Sequence, residues 1–192
     1  YRCHPDIIGY SNEAFYNQKL GVDLKICTKN EDFAIQPNGI KWIDVVGVYK
    51  ADTININELE IKKSIEIALH YANLSPEVSI GIVTPFRHQA DEIIKKIPAH
   101  LASRIVVGTV YIFQGDEKDV MIYSLVVTNN SPISKIKWMD SIEMVNVAVT
   151  RARNTLIIVG NKEYIKNNSN QGMPLNSLVG YVEQLNSQNE SI

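Results

Sequence analysis

Short apolar runs rich in β-branched residues alternate with helix-like segments along this chain, and this alternation constrains the fold more than any other feature. The runs are residues 24–27, 40–48, 79–84, 105–110, 120–127 and 155–159. Several of them are apolar throughout, which is typical of strands that are covered on both faces. The sequence therefore predicts strands at these positions, several of them fully buried.

Helical patterns separate the runs. In the clearest pattern the apolar residues recur with helical spacing at Ile61, Ile65, Ala68, Leu69 and Ala72. Asn57 and Glu60, at its start, resemble a capping box. A second pattern lies between Pro85 and Pro98, and a third covers residues 175–185. We expect a helix at each of these positions.

Strands that alternate with helices of this length indicate βαβ crossovers, an α/β fold and a mainly parallel sheet flanked by helices. In such folds ligands bind at the carboxyl ends of the strands, so we expect the functional motifs to cluster there. The 192 residues, 45% of them hydrophobic, suffice for one buried core and predict one domain. Residues 29–38 and 129–140 are polar or turn-rich and are interpreted as surface connections.

Composition excludes several classes of protein. No apolar stretch approaches the length of a membrane span, and the first residues, YRCHPD, do not resemble a signal peptide. We therefore expect an intracellular, cytoplasmic protein with no membrane partner. The cysteines and histidines lack metal-ligand spacing, which predicts reduced thiols and no metal site. A net charge of −2 argues against a general positive field for nucleic acid but allows a local phosphate-contacting groove.

The segment VGTVYIFQGDEKDVMIYSLV, residues 107–126, is a strand followed by a polar loop and a second strand. Thr109 and Gln114 offer hydrogen bonds, and Gly115 permits a close approach of the backbone. Three acidic residues could accept hydrogen bonds from ribose hydroxyls or orient arginines: Asp116, Glu117 and Asp119. Taken alone, the loop is better explained as a polar turn between strands.

The segment NVAVTRARNTLIIVG, residues 146–160, is a short helix ending in TRAR that leads into a buried strand. Arginine stays charged and presents planar donors, so it can stabilise the charge that develops on a transferring phosphoryl group. The alternative is that both arginines make surface ion pairs or cap the helix. Composition alone favours that alternative for Arg153 and leaves Arg151 undecided.

The first residues form a third element, YRCHP, followed by a helical pattern over residues 7–15. An aromatic ring beside an arginine, as in Tyr1 and Arg2, suits a nucleotide base and phosphate. Ordinary packing explains this pair equally well.

These three elements, together with GIVTPFRHQADEI at residues 81–93, resemble the C-terminal RecA-like domain of superfamily 1 helicases, in the branch that contains the nonsense-mediated-decay RNA helicase. YRCHP resembles the family's YRMHP, and TPFRHQ its TP-aromatic-xxQ motif. GTVYIFQGDEKDV is similar to motif V and NVAVTRAR to motif VI. The four matches occur in family order over about residues 1–160.

The resemblance implies a RecA-like, P-loop-NTPase-type three-layer fold, although no phosphate loop of the form GxxxxGK[ST] occurs in the sequence. Residues 1–192 would be the second, C-terminal motor domain, and residues 161–192 an extension that ends in a helix. ATP with Mg²⁺ would bind between this domain and an N-terminal RecA-like domain of the same polypeptide. The expected function is that of an ATP-dependent helicase or translocase on single-stranded DNA or RNA, with this chain inactive on its own.

The resemblance also assigns residues to the ATP site, namely Arg151, Arg2, Gln114, Tyr1, Gly115 and Glu117. Arg151 and Arg2 would reach the γ-phosphate. Gln114 would contact the nucleotide or the coupling network. Glu117 would bind the ribose, and Tyr1 would lie on the adenine side.

Three further residues, Thr84, Pro85 and Thr109, would touch the nucleic-acid backbone according to the same resemblance. Contacts of this kind position a strand without reading its bases, so the expected substrate is a single strand with little base preference. Glu143 and Met144 depart from the family, because a basic pair commonly precedes motif VI.

Two other functions stay open from the sequence. One is a non-catalytic RecA-like module that binds nucleic acid or a protein. The other is an independent small nucleotide-binding enzyme, which the missing phosphate loop opposes.

Trp42 and Trp138 could stack on bases, but packing is the favoured interpretation of both. His4 is expected to fix local structure.

Overall fold

Five parallel strands form one sheet in the computed structural model, which describes residues 3–17, 21–29, 35–50, 55–113 and 115–189. The strands are β1 (Gly39–Asp44), β2 (Ile80–Val83), β3 (Ile105–Gly108), β4 (Lys118–Ser124) and β5 (Ala152–Gly160). Their order in the sheet is β1-β5-β4-β2-β3. The register places Val120 of β4 between Ile80 of β2 and Thr155 of β5. The predicted α/β fold with a parallel sheet is confirmed and is consistent with a RecA-like fold.

Seven α-helices surround the sheet within the described residues. They are α1 (Pro5–Ser11), α2 (Glu58–Leu74), α3 (Arg87–Ile94), α4 (Ile133–Met139), α5 (Ile142–Thr150), α6 (Lys162–Asn168) and α7 (Pro174–Asn189). A π-helical turn (Asn12–Asn17) extends α1, and two short 3-10 helices cover Ala99–Leu101 and Val110–Phe113. In the part of the chain described, no helix has the length and apolar character needed to cross a membrane.

The sheet is the middle layer of three, because its central strands bury alternate residues on opposite faces. On one face Met121 and Leu156 belong to a core shared with α1 and α4 to α7. On the other face Val120 and Ile157 belong to a core shared with α2 and α3. Both sides of β4 and β5 are therefore covered, which explains why these runs are apolar throughout.

The expected helices over residues 61–72, 86–97 and 175–185 correspond to α2, α3 and α7. Asn57 caps α2 by accepting a hydrogen bond from the amide of Glu60 (3.4 Å), which is half of a capping box. The other half is absent, because the amide of Asn57 donates to Gln89 Oε1 (3.0 Å). The side chain of Glu60 turns towards β4 instead.

Two predictions of secondary structure were wrong. Residues 24–27 form no strand, since the side chain of Asn12 bonds to both the amide (2.7 Å) and the carbonyl (3.0 Å) of Leu24 and replaces a sheet partner. Residues 129–140 contain α4, which starts after Pro132 and buries Ile136 and Met139 on one side. Part of the connection expected over residues 29–38 lies outside the described residues.

Candidate functional site

The motifs lie at both ends of the parallel strands, which corrects the expectation that they cluster at the carboxyl ends. Gly115 and Glu117 directly precede β4, and Arg151 directly precedes β5, so these residues lie at the amino ends. Pro85 follows β2 and Thr109 follows β3 at the carboxyl ends. We call the first set of strand ends the amino edge and the second the carboxyl edge. The amino edge and the carboxyl edge lie at opposite ends of the parallel strands and can serve two different ligands.

The backbone of Arg151 is held at the amino edge by contacts on both sides. Thr150 is the last residue of α5, and its hydroxyl donates to the carbonyl of Asn146 (2.8 Å). Arg151 is the C-cap of this helix, and its carbonyl accepts from the amide of Lys118 at the start of β4 (2.9 Å). Ala152 and Arg153 already belong to β5, so the helix is shorter than the sequence suggested. Arg151 thus occupies a defined junction between helix and strand.

The guanidinium of Arg151 has unused hydrogen-bonding capacity. Its Nε is buried and has no hydrogen-bond partner among the described residues, and the same is true of Asn146 Oδ1 and Arg153 Nε. Buried polar atoms are nearly always paired, so three such atoms within one short segment require an explanation. Ordered water, a ligand or a further protein segment at this edge would satisfy them.

Arg153 has a partner. Its Nη2 lies 3.2 Å from Oδ1 of Asp119, whose Oδ2 accepts from the amide (2.8 Å) and hydroxyl (2.6 Å) of Ser79. Lys118 pairs with Asp116 (2.8 Å). Arg153 is therefore the ion-pair residue that the sequence favoured, and within the described ranges Arg151 and Glu117 make no ion pair.

The described part of the YRCHP segment, Cys3 to Pro5, packs at the same edge. The amide of His4 donates to the carbonyl of Arg153 (2.7 Å), and the Nδ1 of His4 caps α1 by accepting from the amide of Asp6 (3.2 Å). Burial lowers the pKa of His4, and the charge of Asp6 opposes this effect. The expected structural role of His4 is present in the structure.

The pKa of Cys3 depends on charged residues of the other two motifs. Burial, together with the negative charge of Glu117, raises the pKa of the Cys3 thiol to about 11, while Arg151 and Arg153 lower it. The carbonyl of Cys3 accepts from the hydroxyl of Thr28 (2.5 Å), which fixes the segment. The backbone hydrogen bonds from His4 to Arg153 (2.7 Å) and from Lys118 to Arg151 (2.9 Å) bring three motifs that are distant in sequence together at the amino edge.

Three of the predicted site residues, Tyr1, Arg2 and Gln114, lie outside the described residues. Of the remaining residues assigned to ATP, Gly115 and Glu117 are exposed. Gly115 has a φ of +85°, and among the described residues no atom beyond its chain neighbours lies within 4 Å of the position that a Cβ would take. The loop before β4 therefore leaves open space at the amino edge.

A cavity of about 570 Å³ lies near this edge. It is lined by Ile35, Gln36, Leu74, Ser75, Glu77, Val78 and Asp119. Neither Arg151 nor Glu117 lines it, but Asp119 of motif V does, so the cavity adjoins the converging motifs without including these two residues. In the described ranges no group of three His, Cys, Asp or Glu residues could hold a metal ion.

At the carboxyl edge only one of the three predicted nucleic-acid residues presents its side chain. Thr84 and Pro85 are buried, and the hydroxyl of Thr84 accepts from the amide of Phe86 (3.5 Å). Thr109 is partly exposed and is followed by the exposed side chains of Tyr111 and Ile112. Direct side-chain contact with a ligand is therefore open to Thr109 but closed to Thr84 and Pro85 in this conformation.

A buried polar network at the carboxyl edge was missed by the sequence analysis. Oε2 of Glu60 accepts from the Ser124 hydroxyl (2.8 Å) and the amide of Val126 (2.7 Å). Oε1 of Glu60 accepts from Asn57 Nδ2 (3.1 Å), and Gln89 Nε2 donates to Ser124 Oγ (3.0 Å). Burial raises the pKa of Glu60 to about 8, although these hydrogen bonds lower it. The network joins α2, the TPFRHQ helix α3 and the end of β4.

The two tryptophans differ in their surroundings. Trp42 is partly buried, and its Nε1 donates to the carbonyl of Gly160 (3.0 Å), as expected of a packing residue. Trp138 lies in α4 and is 50% exposed, and its ring lies 5.5 Å from that of Phe86. Packing therefore accounts for Trp42 but only partly for Trp138.

Comparison with known proteins finds that a family model described as an AAA domain matches residues 1–163. Helicase sen1 of Schizosaccharomyces pombe is 30% identical over 86% of this chain, and DNA polymerase alpha-associated DNA helicase A of Saccharomyces cerevisiae is 30% identical over 89%. An uncharacterized ATP-dependent helicase of Methanocaldococcus jannaschii is 28% identical over 86%. The chain spans 10%, 28% and 26%, respectively, of the length of these relatives.

Proposed function

We propose that this chain, which belongs to the AAA-domain family of superfamily 1 helicases, is the C-terminal motor half of an ATP-dependent helicase or translocase. In this proposal an N-terminal RecA-like domain of the same polypeptide supplies the phosphate loop and the acidic residues that hold Mg²⁺. This chain supplies an arginine to ATP and contacts to single-stranded DNA or RNA.

The observation that carries the proposal is that backbone hydrogen bonds from His4 to Arg153 and from Lys118 to Arg151 bring three motifs together at the amino edge. The buried Nε of Arg151 at this edge has no partner among the described residues. A planar, permanently charged guanidinium can donate to the γ-phosphate oxygens as charge develops on them. Arg153 is already engaged with Asp119, so we assign this role to Arg151.

The other amino-edge residues are proposed to bind the rest of the nucleotide. Glu117 is exposed and accepts hydrogen bonds from ribose hydroxyls, and Gly115 leaves space for the nucleotide beside it. Arg2 would add a second cation at the γ-phosphate, Tyr1 would lie on the adenine side, and Gln114 would contact the nucleotide or the coupling network. These three roles rest on the family resemblance alone.

At the carboxyl edge we propose that Thr109 contacts the backbone of a single strand. Thr84 and Pro85 are buried and would act by shaping the turn between β2 and α3. Backbone contacts position the strand without reading its sequence. β4 connects the two edges, since its first residue Lys118 bonds to Arg151 and its last residue Ser124 belongs to the Glu60 network. Closure of the cleft between the two domains on ATP would thereby move the bound nucleic-acid strand.

A split site predicts weak ATP binding by this chain alone. Without the phosphate loop and Mg²⁺ ligands, most of the phosphate contacts are missing, so we expect a dissociation constant of about 1 mM or weaker in isothermal titration calorimetry. The same titration of the polypeptide with both domains should give binding that is tighter by at least about a hundredfold. Micromolar binding by this chain alone would contradict the proposal, because it would require a complete site.

A further inference from the structure

An aromatic cluster on the carboxyl edge carries a half-exposed indole. The ring of Trp138 lies 5.5 Å from that of Phe86, with 34° between their planes, and Phe86 in turn packs against the buried ring of Tyr49 (6.5 Å). Trp138 is 50% exposed, whereas Phe86 and Tyr49 are buried. The indole thus packs against the buried ring of Phe86, and half of the residue is open to solvent.

The surroundings of this indole are cationic. Nζ of Lys135 lies 5.8 Å from the centre of the Phe86 ring, and Lys137, next to Trp138, is exposed. Helix α4 contains these two lysines and no acidic residue. The following Asp140 is buried, with its carboxylate bonded within the protein, so it does not offset the lysines at the surface.

The cluster adjoins the turn that the proposed function places beside the single strand. Phe86 directly follows Pro85, and its amide is bonded to the Thr84 hydroxyl (3.5 Å). A single nucleic-acid strand held near this turn would have its bases within reach of the Trp138 ring and its phosphates near Lys135 and Lys137.

We propose that Trp138 is a stacking site for one base of the bound single strand, with Lys135 and Lys137 attracting the neighbouring phosphates. This inference rests on the proposed function and adds a base contact to it. Every base has a π-face, so stacking on an indole strengthens binding without selecting a sequence. The phosphate attraction adds a salt-dependent contribution.

Nucleic acid suits this surface better than an apolar protein segment. Covering Trp138 with an apolar partner would also bring that partner against the two lysines of α4, whose charges would have to be desolvated or paired. Nucleic acid satisfies the ring and the charges together. Ile133 is also exposed on α4, so the test must separate stacking from general apolar contact.

The fluorescence of Trp138 reports stacking directly. The chain has two tryptophans, so Trp42→Phe leaves Trp138 as its single indole. Titration of this variant at low salt with a thymidine homopolymer should quench the emission to saturation. A strand of the same length made of abasic sugar and phosphate should bind more weakly and cause no quenching.

Substitutions at Trp138 separate the ring from its apolar area. Trp138→Ala and Trp138→Leu should each weaken binding of the homopolymer, measured by fluorescence anisotropy of a labelled strand, by about 5- to 100-fold. Trp138→Phe should lose less, because it keeps a π-face. The control is Ile94→Ala, which removes an equally exposed (50%) side chain at the end of α3 and should leave binding unchanged.

Three results would overturn the inference. Homopolymer binding without quenching and without loss in Trp138→Ala would reject the stacking site and leave the proposed function intact. Absence of single-strand binding by both this chain and the two-domain polypeptide would reject the proposed function, and the stacking site with it. Protection of Trp138 from acrylamide in the two-domain polypeptide before nucleic acid is added would show that a protein surface covers the ring.

Discussion

Arg151→Ala is expected to reduce ATP turnover by about 10³-fold or more in the polypeptide that joins this chain to the phosphate-loop domain. The guanidinium would act mainly on charge that develops in the transition state, so kcat should fall far more than ATP affinity. Its Nε has no partner within the described residues, so little folding stability should be lost. Steady-state hydrolysis at saturating ATP and single strand, together with thermal unfolding, measures both quantities.

Two further variants serve as controls. Arg151→Lys keeps the charge but loses the planar donors, so turnover should recover only slightly. Arg153→Ala removes a partly exposed ion pair with Asp119, which should cost at most about 1 kcal/mol of stability and leave most of the turnover. Unchanged turnover in Arg151→Ala would reject the arginine assignment. An equal loss in Arg153→Ala would show that the amino edge as a whole, rather than one guanidinium, is required.

Glu60→Ala is expected to have the largest effect on stability, about 3 kcal/mol or more. The carboxyl group is fully buried. Its removal takes away the acceptor of the Ser124 hydroxyl and of the Val126 amide, and one of the two acceptors of Asn57 Nδ2. Chemical denaturation measures the free energy of unfolding. Glu58→Ala, on the exposed side of the same helical turn, is the matched control and should change it by less than about 0.5 kcal/mol.

Glu60 should also make stability depend on pH. Burial raises its folded-state pKa from 4.5 to about 8, so between these values the folded protein binds a proton that the unfolded chain has released. Its contribution is therefore fully present below about pH 4.5 and is lost as the pH rises through about 8, a total of a few kcal/mol. Glu60→Gln cannot titrate and should remove this dependence. Parallel pH profiles for the two proteins would contradict the assignment.

Much of the fold was predictable from the sequence because periodicity reports burial. The apolar runs of β4 and β5 match strands covered on both faces, and the spacing in α2 matches its buried side. The strand predicted at residues 24–27 is absent. A four-residue apolar pattern does not show whether a neighbouring strand is available to pair with it. Helix α4 was missed because Pro132 and scattered lysines resemble a turn, although proline is compatible with a helix start.

The arrangement of the candidate site could not be predicted from the sequence. Residues 109–117 looked like one loop, yet they begin at the carboxyl end of β3 and finish at the amino end of β4, so Thr109 and Glu117 lie at opposite edges. The Glu60 network depends on a hydrogen bond to Val126, 66 residues away, which no local pattern encodes. The burial of Thr84 is likewise a property of the packed turn.

ATP hydrolysis by three preparations tests most directly whether this chain is one half of a split motor. The preparations are this chain alone, the phosphate-loop domain alone, and the polypeptide that contains both, each with single-stranded nucleic acid. We predict turnover well above background only in the polypeptide that contains both domains. Turnover by this chain alone would contradict the split motor. Equal turnover by the phosphate-loop domain with and without this chain would also contradict it, and would identify this chain as a non-catalytic module.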